Sequence, residues 1–158
     1  MGIQSFSHVG ICVSDLERST RFYREVLGFR ELFTMDMGDE LAATMETTAE
    51  GGIRFTSRML ARDDVRVELL SWSAPVAHGE RARRPMTRLG MTHLCFRVDS
   101  VDELLDVARR AGGAAHPETR SVLAGRGEAG RDVVVLYLTD PDGVRVELMA
   151  GSPDLADL

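Results

Sequence analysis

The chain has 158 residues, enough for one ordinary domain or for two half-sized units that would be insecure alone. Its 44% hydrophobic and 28% charged residues are those of a soluble globular protein, and a net charge of −6 counts against nucleic acid or an anionic membrane as the main partner. No apolar run reaches membrane-spanning length and no basic segment precedes a long apolar one, so we expect neither a membrane span nor a secretory signal, and a cytoplasmic protein.

Phe6 to Val13 is strand-like. Ser14 with Glu17 three residues later predicts a capping box, and Leu16, Phe22, Tyr23, Val26 and Leu27 supply a helical apolar stripe that Gly28 would end. Strands are expected at about 29–36, 40–48, 53–60 and 65–72, with turns at Gly51-Gly52 and Asp63-Asp64. Residues 73–90, with Arg81, Arg83 and Arg84 before Pro85, read as a linker whose basic run is a solvated loop.

The order then recurs. Met91 to Val98 predicts a strand, and Asp99 or Ser100 would cap a helix carrying Val101, Leu104, Leu105, Val107 and Ala108, closed by Gly112-Gly113. Strands at about 114–122, 131–139 and 144–150 follow, with Asp140-Pro141-Asp142-Gly143 as a turn before the last. Residues 123–130, rich in glycine, predict a hairpin tip; no strand-to-helix context supports a phosphate cradle there. Cys12 and Cys95 sit in strands taken as central, where each would be a small apolar filler, and they make no disulfide framework.

The pentapeptide VRVEL occurs at 65–69 and again at 144–148, and each copy closes a segment that opens on a strand with a histidine, His8 or His93. The chain is therefore one β-α-β-β-β unit written twice. Strand alternation puts Val67 and Leu69, and Val146 and Leu148, on one face, and Glu68 and Glu147 on the other. A glutamate in an apolar strand is costly unless paired or bound to a cation, and two at repeat-equivalent positions need a common explanation. Two imidazoles and two carboxylates suit zinc, nickel, cobalt, manganese or iron(II). The competing reading makes each histidine a satisfied strand residue and pairs each glutamate with an arginine; Arg66 and Arg145 serve that reading poorly, since i and i+2 lean apart. His78 and His116 lack repeat partners and are expected to be exposed.

The run HVGICVSDL from His8, then Phe22-Tyr23 and Val26 to Phe29, resembles the first module of the vicinal oxygen chelate superfamily. Thr139 to Gly143 leading into VRVEL resembles its C-terminal signature, so the likeness covers residues 5 to 150. The resemblance implies an α+β fold in which two βαβββ modules, 5–72 and 91–150, form a cupped mixed sheet around one divalent metal, with the whole chain as a single such domain, commonly in a homodimer. It implies His8, Glu68, His93 and Glu147 as metal ligands, matching the glyoxalase I set. Glu68 is the discriminating residue, because extradiol dioxygenases and fosfomycin enzymes use no ligand at its position. The implied activity is an isomerase, epimerase or glyoxalase-like lyase moving a proton next to a carbonyl of a small α-hydroxy carbonyl substrate, with Glu147 or Glu68 as the base. A cyclic ketose epimerase is one sub-class; the alternatives are an iron(II) dioxygenase of the extradiol type and a non-catalytic drug-binding resistance protein. Cys12 and Trp72 stand where glutathione-using bacterial members carry an arginine and an asparagine, which counts against a glutathione adduct as substrate.

Overall fold

The computed structural model describes residues 2–41, 45 and 52–153. It divides into two compact units, 1–79 and 80–158. In the first unit β1 (Val9–Val13), α1 (Leu16–Glu25), β2 (Arg30–Met37), β3 (Arg54–Arg62) and β4 (Val65–Ala74) make a four-stranded sheet in the order β1-β4-β3-β2. In the second, β5 (Leu94–Val98), α2 (Leu104–Arg110), β6 (Ala114–Leu123), β7 (Val133–Thr139) and β8 (Arg145–Ala150) repeat it as β5-β8-β7-β6. Each sheet is mixed: the first strand runs parallel to the last, and the others pair antiparallel.

Both VRVEL copies lie where alternation puts them. Val67, Leu69, Val146 and Leu148 are fully buried, as are Phe22 and Tyr23 of α1, whose apolar stripe covers the first sheet. The strand expected at 40–48 falls largely outside the described residues; Asp39–Leu41 at its start is a 3-10 turn, not a strand. Gly51 of the expected glycine turn also lies outside them.

The opening strands are shorter than their apolar runs. Val9 pairs with Val67, so in the same parallel register Phe6 would face Asp64, where the partner strand has already turned. Phe6 is accordingly left exposed. Leu94 pairs with Val146 near the start of β8, and Met91 is exposed for the same reason. β1 and β5 each stand at the end of their unit's sheet, which corrects the placement of Cys12 and Cys95: neither forms a disulfide and both residues are exposed, not packed as central-strand filler.

The helix starts also differ. Asp15, not Ser14, caps α1 by accepting the Arg18 N–H at 3.0 Å, because a carboxylate answers both the free amide and the positive helix end. Ser14 accepts from the Arg18 guanidinium, and Glu17 pairs with Arg58 at 2.9 Å instead of closing a capping box. Replacing Asp15 by alanine should lower unfolding stability by about 1 kcal/mol, read by urea denaturation. α2 begins at Leu104, later than expected, after a turn in which the Leu105 N–H donates to the Asp102 carbonyl; no side chain caps it. Neither Asp99 nor Ser100 acts as its cap.

Gly28 and Gly143 are among the glycines that backbone geometry requires. Gly28, at φ +70°, closes α1 with its N–H on the Arg24 carbonyl and the Phe29 N–H on the Tyr23 carbonyl. Gly143, at φ +88°, lies so close to Ala82 that an added Cβ would stand 2.7 Å from the Ala82 carbonyl oxygen. Gly143→Ala should therefore cost about 2 kcal/mol or more, seen as a lower denaturation midpoint.

Candidate metal centre

Each unit brings one histidine to one glutamate. In the first, the parallel register places Gly10 opposite Glu68, and His8 sits just ahead of β1 on the same side. His8 Nε2 lies 3.2 Å from Glu68 Oε2. The other carboxylate oxygen accepts from Ser57 Oγ at 2.6 Å, and His8 Nδ1 lies 2.9 Å from Ser7 Oγ. The second unit repeats this with different supports. His93 Nε2 lies 2.7 Å from Glu147 Oε2, Tyr137 donates its hydroxyl to Glu147 Oε1 at 3.3 Å, and Thr92 Oγ1 lies 3.0 Å from His93 Nδ1. The second pair is the better enclosed: its side chains are 27% and 12% exposed, against 35% and 21% for the first.

Small residues make room for both carboxylates. A Cβ at Gly10 would lie 3.9 Å from Glu68 Oε2, and Cys95 holds the equivalent position opposite Glu147. Partial enclosure, and then the charge and hydrogen bonding of Glu147, push the Cys95 thiol up to about 11. In metal-free protein Cys95 should therefore resist iodoacetamide at pH 8 and react appreciably only as pH nears 11, measured by mass spectrometry. Glu147→Gln should speed that reaction by removing the charge. Burial and the same carboxylate raise the Tyr137 hydroxyl, which stays protonated and able to donate at neutral pH.

Arg145 does not serve Glu147. Its guanidinium donates to the Arg84 carbonyl at 2.5 Å and the Thr92 carbonyl at 3.3 Å, and lies 5.7 Å from the Tyr137 ring centroid. Arg83 and Arg84 remain exposed, as expected, yet with Thr119, Tyr137 and Arg145 they line a cavity of about 370 Å³. His78 is exposed as expected. His116 is not: it lies in β6, half-buried, with Nε2 3.2 Å from Thr139 Oγ1. Burial and the charge of Arg83 lower its pKa.

The donor chemistry of each His–Glu pair suits a divalent metal. Adjacent ligands of an octahedral ion with bonds of about 2.1 Å stand about 3.0 Å apart, close to both Nε2–Oε2 separations. Each Nδ1 has a hydroxyl oxygen able to accept a hydrogen bond from Nδ1–H, an arrangement that would leave Nε2 free to coordinate and fix the ring. Among the described residues no group of three or more His, Cys, Asp or Glu side chains gathers; within each unit one histidine meets one glutamate. Sequence reasoning missed Ser57 and Tyr137. Their signal is a lone hydroxyl facing the carboxylate side of the neighbouring strand, and Tyr137 lies directly opposite Glu147 in the ladder.

Two four-stranded mixed sheets with a helix on each define an α+β, glyoxalase-like fold. A glyoxalase family protein from Bacillus cereus has the same fold, with a TM-score of 0.77 over 97% of both chains at 17% identity. A glutamate-to-glutamine mutant of fosfomycin resistance protein FosX from Listeria monocytogenes, solved with Mn(II) and 1S,2S-dihydroxypropylphosphonic acid, gives a TM-score of 0.60 at 19% identity, over 96% of this chain and 95% of that one. The chain belongs to the Glyoxalase/Bleomycin resistance protein/Dioxygenase superfamily, whose family model matches residues 5–148. Among curated relatives, lactoylglutathione lyase of Haemophilus influenzae is 26% identical over 148 residues, covering 90% of this chain and 89% of that protein. Protein YwkD of Bacillus subtilis is 27% identical, covering 94% and 98%. Among the described residues no helix is long and apolar enough to cross a membrane.

Proposed function

We propose that the whole chain is one domain of two modules and that His8, Glu68, His93 and Glu147 together bind one divalent ion, of Zn, Ni, Co, Mn or Fe(II). The activity is proton transfer next to the carbonyl of a small α-hydroxy carbonyl substrate, giving an isomerase, epimerase or lyase, with the cyclic ketose epimerases as one sub-class. The observation that carries this reading is Glu68, whose carboxylate is aimed at His8 and braced by Ser57 as Glu147 is aimed at His93 and braced by Tyr137. Two equivalent carboxylates beside two equivalent imidazoles supply a base as well as ligands.

When bound, a divalent ion polarises a substrate carbonyl and stabilises negative charge on the adjacent oxygen. One of the two glutamates takes the proton from the neighbouring carbon and returns it to the adjacent carbon for isomerisation; epimerisation takes its new proton on the opposite face from a separate donor. Ser57 and Tyr137 each hold one carboxylate oxygen, leaving the other directed to the imidazole side. Thr92 and Ser7 orient the two rings.

Solvent deuterium exchange into candidate hydroxyketones tests this. Exchange should require added Ni, Co, Mn or Zn, and should vanish on chelation. Exchange without metal, or turnover coupled to oxygen uptake, overturns the reading. Ser57→Ala should keep the fold but lower metal affinity about tenfold or more by freeing the Glu68 carboxylate, measured by competition with a chromophoric chelator.

A further inference from the structure

The first unit carries a second recess that the proton-transfer reading does not use. Cys12, Trp72, Pro75, Val76, Ala77 and His78 line a cavity of about 190 Å³. Register ties it to the His8–Glu68 pair: a Cβ at Gly10 would meet both Leu70 and Glu68, so positions 10, 68 and 70 share one face. Cys12 and Trp72 lie one alternation further along the same strands, and both line the cavity.

Trp72 is held flat. Its ring stacks on Phe55 with centroids 4.5 Å apart and planes 25° from parallel, and Phe55 is itself buried. The Ser73–Val76 bridge folds the next residues back as a wall. Among the described residues no carboxylate, lysine or arginine lines the space, whose walls are mostly apolar and aromatic. An apolar cavity of about 150 Å³ holds a benzene ring, which makes this one ring-sized.

We propose that this recess is a substrate subsite for an uncharged apolar group of ring size, aromatic or branched, which sets the specificity of the chain. The near wall of the recess, Cys12, stands two residues beyond Gly10, which lies opposite Glu68, about 7 Å along an extended strand. The matching substrate therefore carries its apolar group on a short arm, a few bonds from the hydroxy carbonyl. That end of the substrate rests on the proton-transfer reading; the subsite itself does not.

Trp72 is the only tryptophan in the chain, so its emission reports on the recess directly. The probe is 1-hydroxy-4-phenylbutan-2-one, with hydroxyacetone as the ringless control, titrated with and without added Ni(II). The ring-bearing probe should change Trp72 emission saturably even without metal, and bind at least tenfold more tightly than hydroxyacetone. Val76→Asp, at an exposed rim position, should erase that preference while leaving metal affinity unchanged. Equal affinities, no saturable emission change, or a preference that survives Val76→Asp overturns the subsite. Ring binding without metal-dependent deuterium exchange would keep the subsite and reject the proton-transfer reading; exchange without ring preference would do the reverse.

Discussion

Glu147→Gln and Glu68→Gln, each assayed at saturating metal, should separate the base from the ligand. Glutamine is nearly isosteric, so Tyr137 and His93, or Ser57 and His8, keep a hydrogen-bonding partner and the sheet keeps its packing. What is lost is charge and basicity. For the glutamate that moves the proton, kcat should fall about a thousandfold while metal stoichiometry, read by elemental analysis, stays near wild type. For the other, the main loss should be metal affinity, with activity recovering as metal is raised. If both variants keep full turnover, catalysis by these residues is the wrong account and a ligand-binding role takes its place.

Arg145→Ala should give the largest loss of stability outside the apolar core. Arg145 is a buried cation, 7% exposed, whose hydrogen bonds hold the Arg84 and Thr92 carbonyls against β8. Removing it leaves those carbonyls without their donor and opens space beside Tyr137. A charge-assisted bond contributes about 1.5–3 kcal/mol, and two such bonds with some rehydration of the exposed segment suggest a loss of about 3 kcal/mol. Urea unfolding should show a lower midpoint with an unchanged slope. Because Thr92 precedes His93, the same variant should weaken metal binding even where the fold survives. Arg145→Lys should recover only part of both, since an ammonium cannot span the two acceptors as a planar fork does.

The repeat, the two sheets and the direction of each glutamate were legible because strand alternation is a local rule that burial enforces. Val67, Leu69, Val146 and Leu148 had to face the core, and their neighbours could only face away. What lay beyond reading was whatever depended on a partner strand. The lengths of β1 and β5 are set by where β4 and β8 begin to pair, which an apolar run such as Phe6 to Val13 does not encode. The terminal place of β1 and β5 in their sheets likewise follows from strand order, and so does the exposure of Cys12 and Cys95. The cap of α1 turned on a choice between two adjacent residues, Ser14 and Asp15, both good caps by type. Ser57 and Tyr137 became visible only once the ladders brought their hydroxyls to the carboxylates. Cys12 and Trp72 had already marked themselves as departures from the glutathione-using pattern, but the walls built by Pro75, Val76 and Ala77 came from a segment read as linker.

The parallel pairing of first strand with last has a consequence for how a metal could be acquired. Within each unit the histidine enters at the start of the fold and its glutamate near the end, and the edge strand can dock only after β4 or β8 exists to receive it. Such a contact spans nearly a whole unit in sequence and closes a long loop, so it forms late. A chain still emerging from the ribosome, or one with an unformed last strand, holds imidazoles with no carboxylate beside them. Capture of the proposed ion would thereby be coupled to the completion of each unit, and an incompletely folded chain would offer a passing cation little to hold.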